Sequence, residues 1–329
     1  MAEICAIVAS SHSPMLSTSA ELWLTRADGD HELYPSEWDA AVRANAATFA
    51  EHSTPEALSQ AEQWVTDGVA RVARILQDAR PDYVLIVGDD QDELLPPGMT
   101  VPMTISTADT LSCPGLTKEE LSKLPEHRLA AVASQGRDAD RSYLISDQAM
   151  PLAVAMGAAG EPVALLQRQI PGTRFGHAFS FVVHRMLGRN MEIPLLPVIL
   201  NTFLPRVQPS VARCLDFGTA LGRSIADGLE GRVAVVASGG LTHRMIDREL
   251  DGMVVDALRT GDLRRMAEVP DSRFTNGKRA DGNGEIKNWL TVAAAAAECG
   301  WKPEYVDYRP LYRSQAGTGV GAAFAAWTS

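Results

Sequence analysis

The chain has few cysteines, no long apolar run and no basic tract, and each of these absences narrows what it can be. Its four cysteines, Cys5, Cys113, Cys214 and Cys299, lie far apart and form no C-x-x-C pair. Neither a disulfide framework nor a cysteine zinc cluster is indicated, and they read as small core residues. No apolar segment reaches the roughly 18 residues of a membrane-spanning helix. Met1 leads almost directly into an apolar strand, without a charged leader and cleavage site, so the expected location is the cytoplasm, with no membrane partner. The formal net charge is −11, and lysines and arginines nowhere cluster along a stretch that could follow a phosphate backbone, which argues against a nucleic-acid partner. Internal repeats are absent too, and the AAAAA run at 293–297 simply favours a helix.

What is present is an ordinary globular composition: 46% hydrophobic and 22% charged residues over 329 positions. That length sustains a core without disulfides, and one compact domain over 1–329 is expected. Short β-branched runs (ICAIVAS, YVLIVG, VALLQRQ, PLLPVIL, VAVVAS) alternate with longer segments at 59–79, 180–187 and 211–229 that carry helical periodicity. Runs that are apolar on both sides suit strands buried on two faces. The alternation predicts an α/β fold with a central, largely parallel sheet flanked by helices. Two polar or irregular stretches, 18–56 and 89–146, interrupt the pattern and read as insertions that wall a pocket.

Polar groups gather at the strand ends: Ser10-Ser11-His12-Ser13, Gly88-Asp89-Asp90-Gln91-Asp92, Asn201, and Ser238-Gly239-Gly240-Leu241-Thr242-His243. If the strands are parallel and adjacent, all four clusters converge on one crevice. A histidine such as His12 at a strand end can be a hydrogen-bonded turn residue or a fixed ligand, and His12 alone does not decide. Glu285, in ADGNGEIKNWL (280–290), opens a helix whose apolar face is Ile286, Trp289 and Leu290; by itself it reads equally as a first-turn acid favoured by the helix dipole.

Taken in order, SSHSP, the D-D-Q strand end, GGLTH and G-x-G-E-I-x-N-W resemble the class III extradiol ring-cleavage dioxygenases, in the group of the protocatechuate 4,5-dioxygenase β subunit. The resemblance implies a non-haem iron(II) enzyme that opens a catechol-type ring with O2, on a small aromatic substrate such as gallate, methylgallate or protocatechuate. It implies His12 and Glu285 as metal ligands, His243 as acid/base and His177 as a second pocket histidine. It also implies an assembly, either a homo-oligomer or a pairing with a small partner subunit.

One position departs from that pattern. Gln91 stands where a ligand histidine is expected, in a segment similar to the G-D-D-Q of methylgallate dioxygenases. Gln91 through its carbonyl is the positional expectation, with Asp90, or His52 or His31 from the insertion, as alternatives, and loss of the iron site as a further one. Ser13, Asn201, Thr242, Ser314 and Thr318 are the substrate-binding candidates; the last two lie in YRSQAGTGVGAAF (312–324), whose glycines lack the strand-first context of a dinucleotide loop,. A metal-dependent hydrolase or lyase on the same scaffold is the rival reading, since a harder donor set retains Lewis acidity. A non-enzymatic binding module has no need of both His243 and Glu285.

Overall fold

The computed structural model describes residues 1–329 except 28, 34–35, 97–98, 100, 189–191, 205–206 and 276–281. Ala280 and Asp281 of the glutamate-bearing stretch therefore lie outside the described residues. Eleven strands are present among the described residues: β1 (Glu3–Ser10), β2 (Tyr83–Asp89), β3 (Met103–Ser106), β4 (Thr110–Cys113), β5 (Arg141–Leu144), β6 (Ala164–Leu166), β7 (Leu195–Leu200), β8 (Arg232–Ser238), β9 (His243–Met245), β10 (Lys302–Tyr312) and β11 (Thr318–Thr328).

One mixed sheet holds most of them, in the order β10-β11-β1-β8-β2-β7-β3-β6, with β9 on β11, while β4 and β5 form a separate hairpin. The four central strands, β1, β8, β2 and β7, are parallel. Antiparallel pairing enters outside them, where β11 meets β1 and where β3 meets β7. The protein is thus a single α/β domain with a parallel centre and antiparallel margins. Every residue of β2 and β7 is buried, so both sheet faces are covered, as their unbroken Val/Ile/Leu runs require.

Helix Pro55–Ala79 packs on β1 and against the His177–Leu187 segment, an α-turn that continues as a π-helix over Val182–Leu187. Helices Val211–Gly228 and Ile286–Glu298 pack closely on each other. At Gly218 a Cβ would stand 2.2 Å from the carbonyl oxygen of Thr291, so only glycine lets the two axes approach this far. That contact seats the helix following Glu285. The insertion at 18–56 forms short helices, Ala20–Thr25 and Asp30–Leu33, and a longer one, Trp38–His52. No described helix is long and apolar enough to cross a membrane.

Candidate metal centre and active site

Because β1, β8, β2 and β7 run parallel, their C-terminal ends share one edge, and the chain leaves each end through a polar turn. β1 delivers His12, which is buried at 4% exposure. Its Nδ1 lies 3.0 Å from Ser238 Oγ at the end of β8, and the hydroxyl proton of Ser238 goes to the Ala178 carbonyl at 2.5 Å. The serine oxygen therefore accepts from His12 Nδ1–H, so the neutral ring carries its lone pair on Nε2. That tautomer is the one a metal-binding imidazole needs, fixed by an outer hydrogen bond.

His12 Nε2 faces two carboxylates, 3.3 Å from Glu285 Oε2 and 3.9 Å from Asp89 Oδ1. Donor atoms of His12, Asp89 and Glu285 lie within 4.8 Å of one another. Both His12 Nε2 and Asp89 Oδ1 are buried without a hydrogen-bond partner among the described residues. Buried polar atoms are nearly always satisfied, and here three lone-pair-bearing atoms converge with nothing of opposite sign between them. A divalent cation satisfies all three at once, so the residues fit a metal.

Gln91 completes the ring of contacts from outside. Its amide nitrogen is 3.1 Å from Asp89 Oδ2 and 3.2 Å from Glu285 Oε1. The opposite amide orientation would set a carbonyl against two carboxylates, so electrostatics selects the donor-inward one. The electrostatics of the pair is asymmetric. Burial and then the charge of Glu285 push the Asp89 carboxyl up. Burial opposes the Glu285 charge as well, but His243 and His12 when charged, and the Gly240 amide at 2.6 Å, hold it low.

The helix that carries Glu285 is pinned to the sheet by its own next turn. Asn288 donates to the Ser238 carbonyl at 2.9 Å and Trp289 Nε1 to that of Gly239 at 2.7 Å. The G-E-I-K-N-W stretch thus presents a carboxylate and, three and four residues on, clamps its own helix onto the end of β8.

His243 begins β9. Its Nδ1 is 2.8 Å from the Leu241 carbonyl, so that nitrogen donates and Nε2, 3.4 Å from Glu285 Oε2, is left facing the cavity. Two glycines make room for the ring. A Cβ at Gly240 would lie 2.0 Å from the imidazole Cε1, and one at Gly282, where φ is +90°, 2.6 Å from Cγ.

His177 packs edge-on against His12, with ring centres 4.8 Å apart. Its Nδ1 is 2.5 Å from Glu93 Oε2, and Arg174 holds the other oxygen of Glu93 at 2.7 Å. Burial opposes a charge on His177, but Glu93 outweighs it and raises the imidazole to about 10. Glu93 thus favours the charged form of this half-buried imidazole beside the cluster. That glutamate went unnoticed in the sequence among the other acids of that segment.

The remaining candidates divide into those at the site and those elsewhere. Ser13 lines the same cavity as His12 and His243. Asp90 turns away and accepts from the Leu94 and Leu95 amides at 2.8 and 3.0 Å. His52 bonds the Thr48 carbonyl and packs edge-on against Tyr312, and His31 packs edge-on against Trp38. Asn201 accepts from the Leu204 amide and lines a separate small recess with Asp90. Thr242 is bonded to buried Asp251 through both its amide and its hydroxyl. Ser314 and Thr318 bond each other at 2.6 Å, and Thr318 donates to Asp30. Asp89, which no single motif singled out, is the residue brought to His12 and Glu285. The signal was its place as the last residue of β2, the same rank that Ser238 holds on β8.

Above the cluster opens a polar cavity of about 560 Å³, walled on one side by His12, Gln91, His177, His243 and Glu285. Arg26, Asp30 and Arg128, from the two irregular stretches, line another part of it. The arrangement offers donor atoms that fit a cation, an imidazole whose Nε2 faces the cavity and a second imidazole that Glu93 holds towards its charged form, all opening on a space large enough for a small aromatic molecule,.

A family model described as the catalytic LigB subunit of aromatic ring-opening dioxygenase matches residues 179–324. The matched part holds His243 and Glu285. No curated protein matches the chain. Among solved structures, an uncharacterized protein from Escherichia coli K12 is similar at 12% identity and a TM-score of 0.43, over 78% of this chain and 91% of that one.

Proposed function

We propose that the protein is a metal-dependent dioxygenase that opens the ring of a catechol-type aromatic at the His12–Asp89–Glu285 cluster. The observation that carries this is the convergence of two unpartnered buried atoms, His12 Nε2 and Asp89 Oδ1, with Glu285 Oε2 beside Nε2 of His243. The match to the aromatic ring-opening dioxygenase model over residues 179–324 supports it. Iron(II) bound there supplies the redox chemistry and relieves the spin barrier between O2 and the ring.

The chain's own residues handle protons and charge. His243 Nε2 accepts the proton of a substrate hydroxyl and returns it as the product forms. His177, kept protonated by Glu93, offers its remaining ring N–H to an oxygen anion in the cavity. Gln91 holds the outer carboxylate oxygens so that the inner ones stay directed at the ion. Ser13, at the cavity wall, donates to the substrate.

The test is metal analysis of anaerobically purified protein, followed by oxygen consumption with catechol, protocatechuate, gallate and methylgallate. Oxygen uptake with a ring-opened product is the expected outcome, and none after reconstitution with iron(II) or manganese(II) overturns the reading. One observation favours a second reading. Two carboxylates and one imidazole form a harder, more negative set than two imidazoles and one carboxylate, and such a set suits Lewis-acid work in a hydrolase or lyase. Metal-dependent turnover without oxygen uptake would identify it.

A further inference from the structure

The chain carries 30 basic and 41 acidic residues, yet one part of its main cavity is basic. Arg26, Arg128, Arg174, Arg244 and Arg313 line it, against Asp30, Glu93 and Glu285. The acids are spoken for: Glu93 by His177 and Arg174, Glu285 by the metal cluster, and Asp30 by Arg313, whose Nε and Nη2 it accepts at 2.7 Å each. Arg26, Arg128 and, from β9, Arg244 remain. Among the described residues none of the three makes a side-chain hydrogen bond or ion pair, and Arg26 Nε is buried without a partner.

Arg26 and Arg128 come from the segments that interrupt the α/β pattern, and Arg26 alone of the three is crowded by its neighbours. Arg26 follows helix Ala20–Thr25, Arg128 lies in helix Glu126–Leu129, and these short helices pack on each other. Arg313 is fixed beside them by Asp30, itself 3% exposed and held by Thr318 at 2.6 Å. A half-buried guanidinium with no hydrogen-bonded partner is costly, and crowding by like charges adds to the cost. Burial first, then Arg313 and Arg128, bring Arg26 down to about 10 against the weaker opposing pull of Asp30. An oxyanion relieves both, and the planar fork of arginine fits a carboxylate through two parallel hydrogen bonds.

We infer that Arg26 and Arg128, backed by the Asp30-anchored Arg313, form an oxyanion subsite that binds a carboxylate substituent of the aromatic substrate in the cavity above the His12–Asp89–Glu285 cluster. The inference deepens the proposed dioxygenase reading and rests on it for the word substrate. The binding itself does not require the reaction. Arg313 and its Asp30 support act as the rigid wall, while the guanidiniums of Arg26 and Arg128 supply the charge. Neutral catechols lack the group that satisfies them.

The experiment uses the full chain stripped of metal by chelation, titrated calorimetrically with benzoate and with benzamide, its neutral counterpart of the same shape. Benzoate binding that weakens roughly tenfold or more in Arg26→Gln and in Arg128→Gln is expected. Benzamide should bind much more weakly, and Arg264→Gln, a surface change, should behave as the parent. Equal binding of the two probes, or benzoate binding indifferent to both substitutions, overturns the inference. Arg128 is exposed, so its variant keeps the test decisive if Arg26→Gln fails to fold. Oxygen uptake is read separately: charge-selective binding without uptake keeps the subsite and removes the dioxygenase reading. Uptake with no preference for carboxylated over neutral catechols, unchanged in both variants, does the reverse.

Discussion

The side-chain amide of Gln91 donates to Asp89 Oδ2 at 3.1 Å and to Glu285 Oε1 at 3.2 Å. The residue standing where an imidazole was expected thus grips the outer oxygens of two carboxylates and leaves the inner ones to His12. On the proposed reading Asp89 is a ligand and Gln91 its support. Asp89→Asn should abolish tight iron(II) or manganese(II) binding, because it removes one of the two charges facing the ion. Gln91→Ala should cost only about 10–100-fold in affinity, the usual effect of losing an outer partner. Gln91→His would place a bulkier ring against the same carboxylates and weaken binding. Anaerobic metal titration of the three variants decides: tighter binding in Gln91→His, with Asp89→Asn unaffected, would return the ligand role to position 91.

Ser238 sets the state of His12 in the same indirect way. Its hydroxyl proton is committed to the Ala178 carbonyl, so its oxygen can only accept from His12 Nδ1. Ser238→Ala leaves the imidazole free to put its proton on Nε2, where it blocks the ion. Metal affinity should fall about 10–100-fold with the fold intact by circular dichroism. Unchanged affinity would mean that the tautomer is fixed elsewhere.

Much of this centre was legible because parallel strands announce themselves as unbroken apolar runs, and their ends fall on one edge. His12, His243 and Glu285 each sit just outside such a run or at a helix start, where residue type and position agree. Asp89 was not legible. Three consecutive polar residues end β2, and only the Asp90 carboxylate, folded back onto the Leu94 and Leu95 amides, shows which one is used by the turn. Strands β10 and β11 were missed for a different reason. Lys302–Tyr312 interleaves charges and prolines with its apolar residues, and Thr318–Thr328 is built of glycine and alanine, so neither shows a β-branched run. Ser314 and Thr318 flank the turn of that hairpin, and their hydroxyls support Asp30 and Arg313, a contact set by tertiary packing alone.

Glu93 and His177 predict how stability depends on pH. Burial raises the Glu93 carboxyl, but His177 and Arg174 outweigh it and hold it at about 2 against an ordinary 4.5. Its contribution is therefore present above 4.5 and lost as pH falls towards 2. His177 has the opposite sign: raised from 6.5 to about 10, it contributes fully below 6.5 and loses that contribution as pH rises through about 10. Glu93→Gln should flatten both limbs of the curve of unfolding free energy against pH. In a proton NMR titration it should lower the His177 transition, because the strongest influence raising it is gone while burial still opposes the charge and only the more distant Asp89 and Glu285 favour it. A His177 transition unmoved by the substitution would remove Glu93 as the cause.

His243 carries the last prediction. Its Nε2 lies 3.4 Å from Glu285 Oε2, close to the 3.3 Å of His12, so distance alone leaves it either a ligand or a proton carrier. One feature favours the carrier: its side chain is 16% exposed where those of Glu285 and His12 are sealed. A proton carrier needs contact with substrate and exchange with solvent, and a buried ligand needs neither. His243→Phe keeps the ring volume between Gly240 and Gly282, so the metal should stay bound while turnover drops by about 10²–10⁴-fold. Gly240→Ala should lose activity as well, because its methyl group would occupy the space of the imidazole. Loss of metal in His243→Phe would make His243 a second imidazole ligand, and the centre would then hold two histidines and two carboxylates.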